Sequence, residues 1–194
     1  MLFAADPVFL LNVGGPSVVS VGGQVWDEDT DANPSPLQMI SGTTTASTAS
    51  PINLSDPSVS ADTPEAIFQN QRAGVNDPAG SLNYDFAVNP GTYEVSLYLA
   101  EIDTPTPAVG DRTFDVAAEG QLQLTDYDIV EQVGGEAGVV ETFEVAVSDG
   151  TLDLDFAVGN SNAVLNGIEV TQVSTLGVSS TLADLGEKEV GTIN

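Results

Sequence analysis

The densest set of oxygen ligands in the sequence is an alternating acidic run near residue 30. Its side chains at every second position are Asp27, Asp29, Asp31 and Asn33. Calcium takes six to eight oxygen ligands, and alternate acids on a tight loop supply several of them. An EF-hand loop has glycine at its sixth position and glutamate at its twelfth, where this run has Ala32 and Gln38. Calcium is therefore one candidate cofactor, and a solvated acidic loop is the alternative.

The residue types that support most catalytic mechanisms are missing. The sequence has no histidine and no cysteine, and it contains neither a Gly-x-Ser-x-Gly elbow nor a phosphate-binding loop. A glycosidase needs two carboxylates at a suitable separation, but with 29 acidic residues some pair meets that distance by chance. The sequence therefore predicts that the protein is not an enzyme.

Two arginines are expected to have structural roles. Arg72 and Arg112 are the only basic residues in the part of the chain with strand patterns. Arg112 has the same parity as Phe114, which faces inward in the predicted strand. A buried guanidinium requires a carboxylate partner, because an unpaired buried charge is costly. Glu101 and Asp115 are the nearest candidates, so the sequence predicts ion pairs among these residues, with ligand contact as the alternative role of the arginines.

The charge balance narrows the range of partners. With 29 acidic and three basic residues the formal net charge is -26. Such a surface repels nucleic acid and anionic membranes, and no apolar run is long enough to span a bilayer. The acids are dispersed along the chain, which indicates a surface adapted to concentrated salt and hence a halophilic source. A mesophilic secreted protein that is merely acidic is the alternative.

Hydrophobic alternation predicts the elements that position these groups. In the segment that includes residues 92–101, every second residue from Tyr93 to Leu99 is apolar, which is typical of a half-buried strand. Similar patterns predict eight to ten strands, and Asp149-Gly150 predicts a tight hairpin turn. One short helix is expected from Pro64 to about Arg72, after a long loop excursion over residues 27–60. Without helical crossovers, the pattern favours an antiparallel β-sandwich.

Several short words in the sequence resemble one known family. They are Asn12-Val13-Gly14-Gly15, Phe68-Gln69-Asn70-Gln71-Arg72, Ala100-Glu101-Ile102, Arg112-Thr113-Phe114-Asp115-Val116, Tyr127-Asp128-Ile129-Val130 and Gly134-Gly135. Together, over roughly residues 8–173, they resemble the malectin domain, a carbohydrate-binding fold. The resemblance implies an all-β protein with an antiparallel β-sandwich of the jelly-roll, galactose-binding-like type.

The resemblance also implies where a ligand would bind. In the family a sugar is held by loop aromatics and one acid, and these positions carry over to Ala73, Asp103, Thr104 and Ser161. None of them is aromatic here, and the acid is replaced by serine. The candidates for glycan binding at the same loop end are Trp26, Asn76, Asp103, Asn160 and Asn162. Trp26 is the predicted stacking platform, with a partly buried loop anchor as the alternative, and turn formation is the alternative for the asparagines.

The chain is expected to be one piece of a longer protein. Residues 1–6 are interpreted as a cloning or linker remnant, residues 7–174 as the malectin-like sandwich, and residues 175–194 as a linker or the first strand of a following repeat. The last segment resembles an immunoglobulin-like surface-protein repeat through Leu182, Leu185-Gly186 and Val190-Gly191.

The expected function follows from these interpretations. The sequence predicts a non-catalytic carbohydrate-binding module of a larger secreted or cell-surface protein, with a glycan and the neighbouring domains of the same chain as partners. The alternative is a structural spacer or adhesin module, with calcium as a candidate stabiliser and no glycan ligand.

Overall fold

The computed structural model describes residues 7–39, 41–74, 81–103 and 105–173. These residues form thirteen strands and two short helices. In chain order they are β1 Pro7–Val13, β2 Val18–Val19, β3 Val25–Asp29, β4 Thr43–Ser47, α1 Glu65–Phe68, β5 Asn70–Gly74, β6 Leu82–Ala87, β7 Gly91–Ala100, β8 Thr113–Ala118, β9 Gln121–Tyr127, α2 Ile129–Val133, β10 Gly138–Val147, β11 Thr151–Asn160, β12 Val164–Leu165 and β13 Gly167–Gln172. None of the helices in this part of the chain has the length and apolar character needed to cross a membrane.

The strands form three sheets. The six-stranded sheet has the order β10-β7-β13-β1-β3-β2, the four-stranded sheet β6-β11-β8-β9 and the three-stranded sheet β12-β5-β4. Paired strands are antiparallel except β1 and β3, which run parallel. The prediction of an antiparallel β-sandwich is therefore confirmed, with one parallel pair added.

The main core lies between the six-stranded and four-stranded sheets. Strand β7 supplies every second residue to it, and Tyr93, Val95, Leu97 and Leu99 are at most 2% exposed. Apolar residues of β6, β8 and β11 face them and complete one continuous cluster. The alternation seen in the sequence is thus the pattern of a sheet with one face toward the core.

A second, smaller core covers the other face of the six-stranded sheet. Its buried members are Trp26, Ile52, Ile67, Phe68, Tyr98, Ala100 and Ile102. They come from β3, from the end of β7 and from the residues that lead into and form α1. The end of β7 is therefore buried on both faces, whereas its beginning is buried on one.

Three local predictions differ from the structure. The helix expected to reach Arg72 ends at Phe68, because residues 70–74 form β5 and pair with both β4 and β12. The excursion over residues 27–60 contains a strand, β4. Helix α2 was not predicted, although Asp128 caps it by accepting hydrogen bonds from the backbone N–H groups of Val130 and Glu131. The predicted linker segment 1–6 and the immunoglobulin-like residues Leu182 to Gly191 lie outside the described residues.

One glycine in the first family word is required by a close approach of two backbones. Gly14 has φ of +77°, and a Cβ placed there would lie 2.1 Å from the carbonyl oxygen of Gln71. Gly23 has φ of +84°, but a Cβ there would meet no atom within 4 Å. The two glycines therefore share a left-handed backbone conformation, but only at Gly23 is there room for a side chain.

We expect Gly14→Ala to lower the free energy of unfolding by more than about 2 kcal/mol, because the cost of the positive φ and the cost of the clash with the Gln71 backbone add together. Gly23→Ala, with strain alone, should lower it by about 1 kcal/mol. Urea unfolding at fixed salt measures both variants. Equal losses would show that the approach of the Gln71 carbonyl does not constrain this turn.

Candidate functional site

Several strand ends and loops meet at one end of the sandwich. This loop end consists of residues 100–103, 110–113 and 160–163. Asn160 connects two of these segments, since its Nδ2 donates to the Gly110 carbonyl at 3.0 Å and its backbone N–H donates to Thr113 Oγ1 at 3.1 Å. The third segment joins them through Arg112, which contacts Asp103.

Four polar side chains form a cluster at the loop end. This loop-end cluster consists of Gln71, Glu101, Asp103 and Arg112. Arg112 Nη2 donates to Asp103 Oδ2 at 2.5 Å, and Arg112 Nε lies 3.3 Å from Glu101 Oε2. Gln71 Nε2 donates to Asp103 Oδ1 at 2.9 Å. The backbone N–H of Asp103 donates to Glu101 Oε1 at 2.9 Å, so Asp103 joins all the other members.

The cluster is largely buried and incompletely paired. The side chains of Glu101 and Arg112 are 1% and 8% exposed, whereas that of Asp103 is 40% exposed. Five buried side-chain atoms among the described residues have no hydrogen-bond partner, and four of them belong to this cluster. They are Gln71 Oε1, Glu101 Oε2, Arg112 Nε and Arg112 Nη1. Glu101 Oε2 and Arg112 Nε face each other at 3.3 Å as an ion pair. Gln71 Oε1 and Arg112 Nη1 are therefore the atoms that call for an explanation, such as a bound water or ligand.

Burial affects the ionisation of one member of the cluster. The pKa of Glu101 is raised because burial disfavours its charged form, and the positive charge of Arg112 opposes this shift. The neighbouring carboxylates of Asp103 and Asp128 also raise the pKa. The cluster therefore holds two carboxylates and one guanidinium, with its negative charge toward solvent at Asp103.

The partners of Arg112 differ in part from those expected. The structure pairs Arg112 with Glu101, as the sequence predicted, and its second partner is Asp103 in place of Asp115. Asp115 Oδ1 instead accepts the backbone N–H of Asp126 at 2.7 Å. Asp115 lies within β8, whereas Asp103 lies on a loop that folds over the arginine. Asp103 was expected to bind a glycan and is here also an ion-pair partner.

The other arginine occupies the acidic run that was predicted to bind calcium. Arg72 Nε donates to Asp29 Oδ2 at 2.8 Å and Nη2 to Asp29 Oδ1 at 3.0 Å. Asp29 is fully buried, and it also accepts hydrogen bonds from Tyr84 OH at 3.0 Å and from the Ser35 backbone at 2.8 Å. Asp31 lies 3.3 Å from Arg72 Nη1. The central acid of the run is thus engaged by protein donors.

Among the described residues, the predicted calcium ligands are not gathered into one metal site. Within the described ranges no three acidic, histidine or cysteine side chains are grouped so that they could hold a metal ion. Asp27 is exposed, and Asn33 donates to Glu28 at 3.5 Å. The run is therefore divided between a buried ion pair at Asp29 and a solvated loop.

Trp26 does not lie at the loop end. It is 3% exposed, and its ring packs edge-to-face on Tyr98 with 4.9 Å between centroids and an interplanar angle of 88°. No ring face remains open to stack on a sugar, as the predicted platform requires. The burial follows from the second core, which closes over β3 in a way that no local pattern near Trp26 indicates.

The remaining predicted ligand residues have different environments. Asn160 is exposed at the loop end, and the Asn162 Oδ1 accepts from Ser161 Oγ at 3.0 Å. Asn76 lies outside the described residues. Ala73, the counterpart of a family aromatic, is buried in β5 between β4 and β12. The structure therefore brings Asp103, Asn160 and Asn162 to one end, and Gln71 is a residue there that sequence reasoning missed.

The fold and the loop end define a β-sandwich with a polar site on its connecting loops. The family model described as Malectin domain matches residues 8–177. Because this match covers most of the sequence, the chain belongs to the malectin domain family.

Two plant proteins are similar in sequence. Receptor-like protein 4 of Arabidopsis thaliana is 35% identical over 115 residues, which is 58% of this chain and 18% of that protein. A probable LRR receptor-like serine/threonine-protein kinase of the same plant is 25% identical over 179 residues, 88% of this chain and 16% of that protein. The chain thus spans less than a fifth of the length of these relatives.

Solved structures share the fold. The ANX2 ectodomain from Arabidopsis thaliana superimposes with a TM-score of 0.72 at 20% identity, over 88% of this chain and 50% of that one. A β-glucuronidase of Bacteroides uniformis gives a TM-score of 0.68 at 18% identity, over 86% of this chain and 18% of that one. At these identities the similarity shows the fold alone.

Replacing Arg72 with methionine leaves the buried Asp29 carboxylate without its cation. We expect Arg72→Met to lower the free energy of unfolding by about 3–5 kcal/mol. Adding Asp29→Asn removes the uncompensated charge, so the double variant should recover part of the loss. Urea unfolding of both variants checks this expectation, and an unchanged midpoint for Arg72→Met would contradict a structural role of the ion pair.

Because three tyrosines are buried, we expect the free energy of unfolding to fall at alkaline pH. Burial raises the pKa of Tyr84, Tyr98 and Tyr127, and the adjacent carboxylates of Asp29, Glu169 and Glu141 raise it further. Because each folded pKa exceeds the unfolded value near 10, stability is complete below pH 10 and is lost as the pH rises above it.

Each tyrosine should contribute a slope of about 1.4 kcal/mol per pH unit in that window. Urea unfolding between pH 9 and 11.5 at constant salt measures the total slope. Tyr127→Phe should reduce the total slope by the contribution of one tyrosine, about 1.4 kcal/mol per pH unit, and should leave its sign unchanged. A variant with the same slope as the parent would show that Tyr127 ionises equally in both states.

Proposed function

We propose that this chain is a non-catalytic carbohydrate-binding module of a larger secreted or cell-surface protein, and that the loop end is its binding site. The observation that carries the proposal is the concentration of unpaired buried polar atoms in the loop-end cluster, beside the half-exposed Asp103. Membership of the malectin family supports the ligand class. The plant receptor-like relatives support the location.

The chemistry of the cluster suits hydroxyl groups. A sugar hydroxyl both donates and accepts, so it matches a site with a free amide oxygen on Gln71 and a free N–H on Arg112. These atoms are sealed from solvent, and a ligand therefore reaches them through ordered water or by displacing the side chain of Asp103. Asp103 and the exposed Asn160 provide the direct contacts.

The site would work without aromatic stacking. The positions that carry aromatics in the family are here Ala73, which is buried, and the polar residues Asp103 and Thr104. Recognition then depends on hydrogen bonds, which water competes for, so the affinity for a single sugar unit is expected to be low. Repetition of the module along a longer chain would compensate through multivalency.

The acidic surface supports a halophilic source. The formal net charge is -26, and the two arginines of the sandwich are buried in ion pairs with Asp29 and Glu101. Counterions at high ionic strength screen the resulting self-repulsion. We therefore expect the module to fold and bind best in concentrated salt.

A spacer or adhesin module without a glycan ligand is the second candidate function. Both carboxylate oxygens of Asp103 already accept hydrogen bonds, one from Gln71 and one from Arg112. An acid engaged in this way braces the loop over the arginine, which is a folding role. The proposal and this alternative differ in whether Asp103 also contacts a ligand.

A glycan array in roughly molar salt, with and without calcium, tests the proposed function. The parent protein should bind a defined glycan, and Asp103→Asn should weaken that binding at least about tenfold by removing a charged acceptor. Glu144→Gln is the matched control, since it removes one negative charge from an exposed position of β10. Circular dichroism in the array buffer verifies folding of all three proteins.

The outcomes separate the two candidates. Binding that is lost in Asp103→Asn and kept in Glu144→Gln supports the loop end as a carbohydrate site. No binding by a folded parent protein would support the spacer module. Ligand binding would then be expected in neighbouring domains of the longer protein. Equal binding by both variants would place the site elsewhere on the sandwich.

A further inference from the structure

A separate cavity lies on the outer face of the six-stranded sheet. Its volume is about 280 Å³, and it opens between β3, the end of β7, β13 and residues 60–64. The side chains that matter for its chemistry are those of Gln24, Trp26, Ser60, Asp62, Tyr98 and Glu169. No member of the loop-end cluster lines it. We refer to it as the Trp26 cavity.

The wall of the Trp26 cavity is aromatic and rigid. Trp26 and Tyr98 are 3% and 6% exposed and pack edge-to-face, and Phe68 packs behind Tyr98 with 5.7 Å between ring centroids. This wall is part of the second core, so its geometry does not depend on a mobile loop. The accessible ring edges offer a narrow apolar contact to a ligand that enters the cavity.

One donor in this wall has no acceptor. Among residues 7–39, 41–74, 81–103 and 105–173, no group accepts a hydrogen bond from the indole N–H of Trp26. The indole N–H is not among the buried side-chain atoms that lack a partner, so this donor is accessible from the cavity. The cavity that Trp26 lines is where water or a ligand hydroxyl can serve as the acceptor.

The rim of the cavity is polar and negative. Glu169 Oε2 accepts the hydroxyl of Tyr98 at 2.7 Å, which leaves its other oxygen for a ligand. The exposed side chains of Asp62 and Gln24 lie on the same rim. No basic residue lines the cavity, so two carboxylates face a ligand without compensation. This charge disfavours acidic sugars and phosphates and favours neutral groups rich in hydroxyls.

We propose that the Trp26 cavity is a second carbohydrate subsite that takes one neutral hexose unit. Carboxylates of Asp62 and Glu169 accept its hydroxyl protons, the indole N–H of Trp26 donates to a hydroxyl oxygen, and the sugar touches only the accessible ring edges of Trp26 and Tyr98. The volume of about 280 Å³, just below the usual range for small-molecule pockets, limits the subsite to a single ring. The proposal deepens the proposed function and rests on it.

The single tryptophan makes the subsite directly observable. Trp26 is the only tryptophan in the sequence, so its fluorescence reports this cavity and not the loop end. In molar salt we titrate the protein with glucose, galactose, mannose and N-acetylglucosamine, and with glucuronic acid as the anionic control. We expect a saturable change in emission with at least one neutral sugar and none with glucuronate at the same concentration.

Two conservative variants assign the response. Asp62→Asn and Glu169→Gln should each raise the apparent dissociation constant about tenfold or more, because each removes a charged acceptor of a sugar hydroxyl. Glu144→Gln, which alters an exposed acid on β10, should leave the response unchanged. Urea unfolding of each variant verifies that the fold is intact.

The results separate this proposal from the proposed function. Array binding without any change of Trp26 emission would overturn the subsite and leave the module a carbohydrate binder. A change of emission that persists unaltered in Asp62→Asn and Glu169→Gln, or that glucuronate also produces, would overturn it as well. A folded protein that neither binds the array nor responds in fluorescence would contradict both proposals.

Discussion

The buried ion pair between Arg72 and Asp29 joins all three sheets of the domain. Asp29 ends β3 of the six-stranded sheet, Arg72 lies in β5 of the three-stranded sheet, and Tyr84 of the four-stranded sheet donates to the same carboxylate. An unpaired charge at this depth is strongly unfavourable, so the sheets can pack only where all these contacts form. The polar contacts thereby specify the relative placement of sheets that apolar packing alone would leave less determined.

The same interaction has consequences for the surface. Both arginines of the sandwich form ion pairs with carboxylates of the sandwich itself. Arg72 pairs with Asp29, and Arg112 pairs with Glu101 and Asp103. Apart from Asp31 and Asp103, which contact these same two arginines, the exposed acids of the described residues have no arginine or lysine beside them. The few cationic side chains stabilise the interior, and the acidic groups on the surface repel one another. Dissolved counterions are then needed to screen this repulsion.

Local patterns predicted the parts of the fold that depend on neighbouring residues. The alternation in β7 and the hairpin at Asp149-Gly150 follow from strand periodicity and from a glycine with φ of +98°. Arg112 and Glu101 are only 11 positions apart, and their pairing was accessible to the same reasoning. By contrast Arg72 and Asp29 are separated by 43 residues. Nothing in either local sequence reveals that these two meet, and the acidic run was therefore interpreted as a cation site.

The residues that identify the family and the residues that could bind a ligand belong to different sets. Gly14, Arg72 and Arg112 all stand in family words, and each has a role in packing or pairing inside the sandwich. Such residues serve the fold whatever ligand the domain binds. The rim of the Trp26 cavity, by contrast, consists of exposed side chains such as Gln24 and Asp62 that the fold does not require. Ligand specificity in this domain can therefore change while the β-sandwich is retained. The residues that determine it are expected outside the family words.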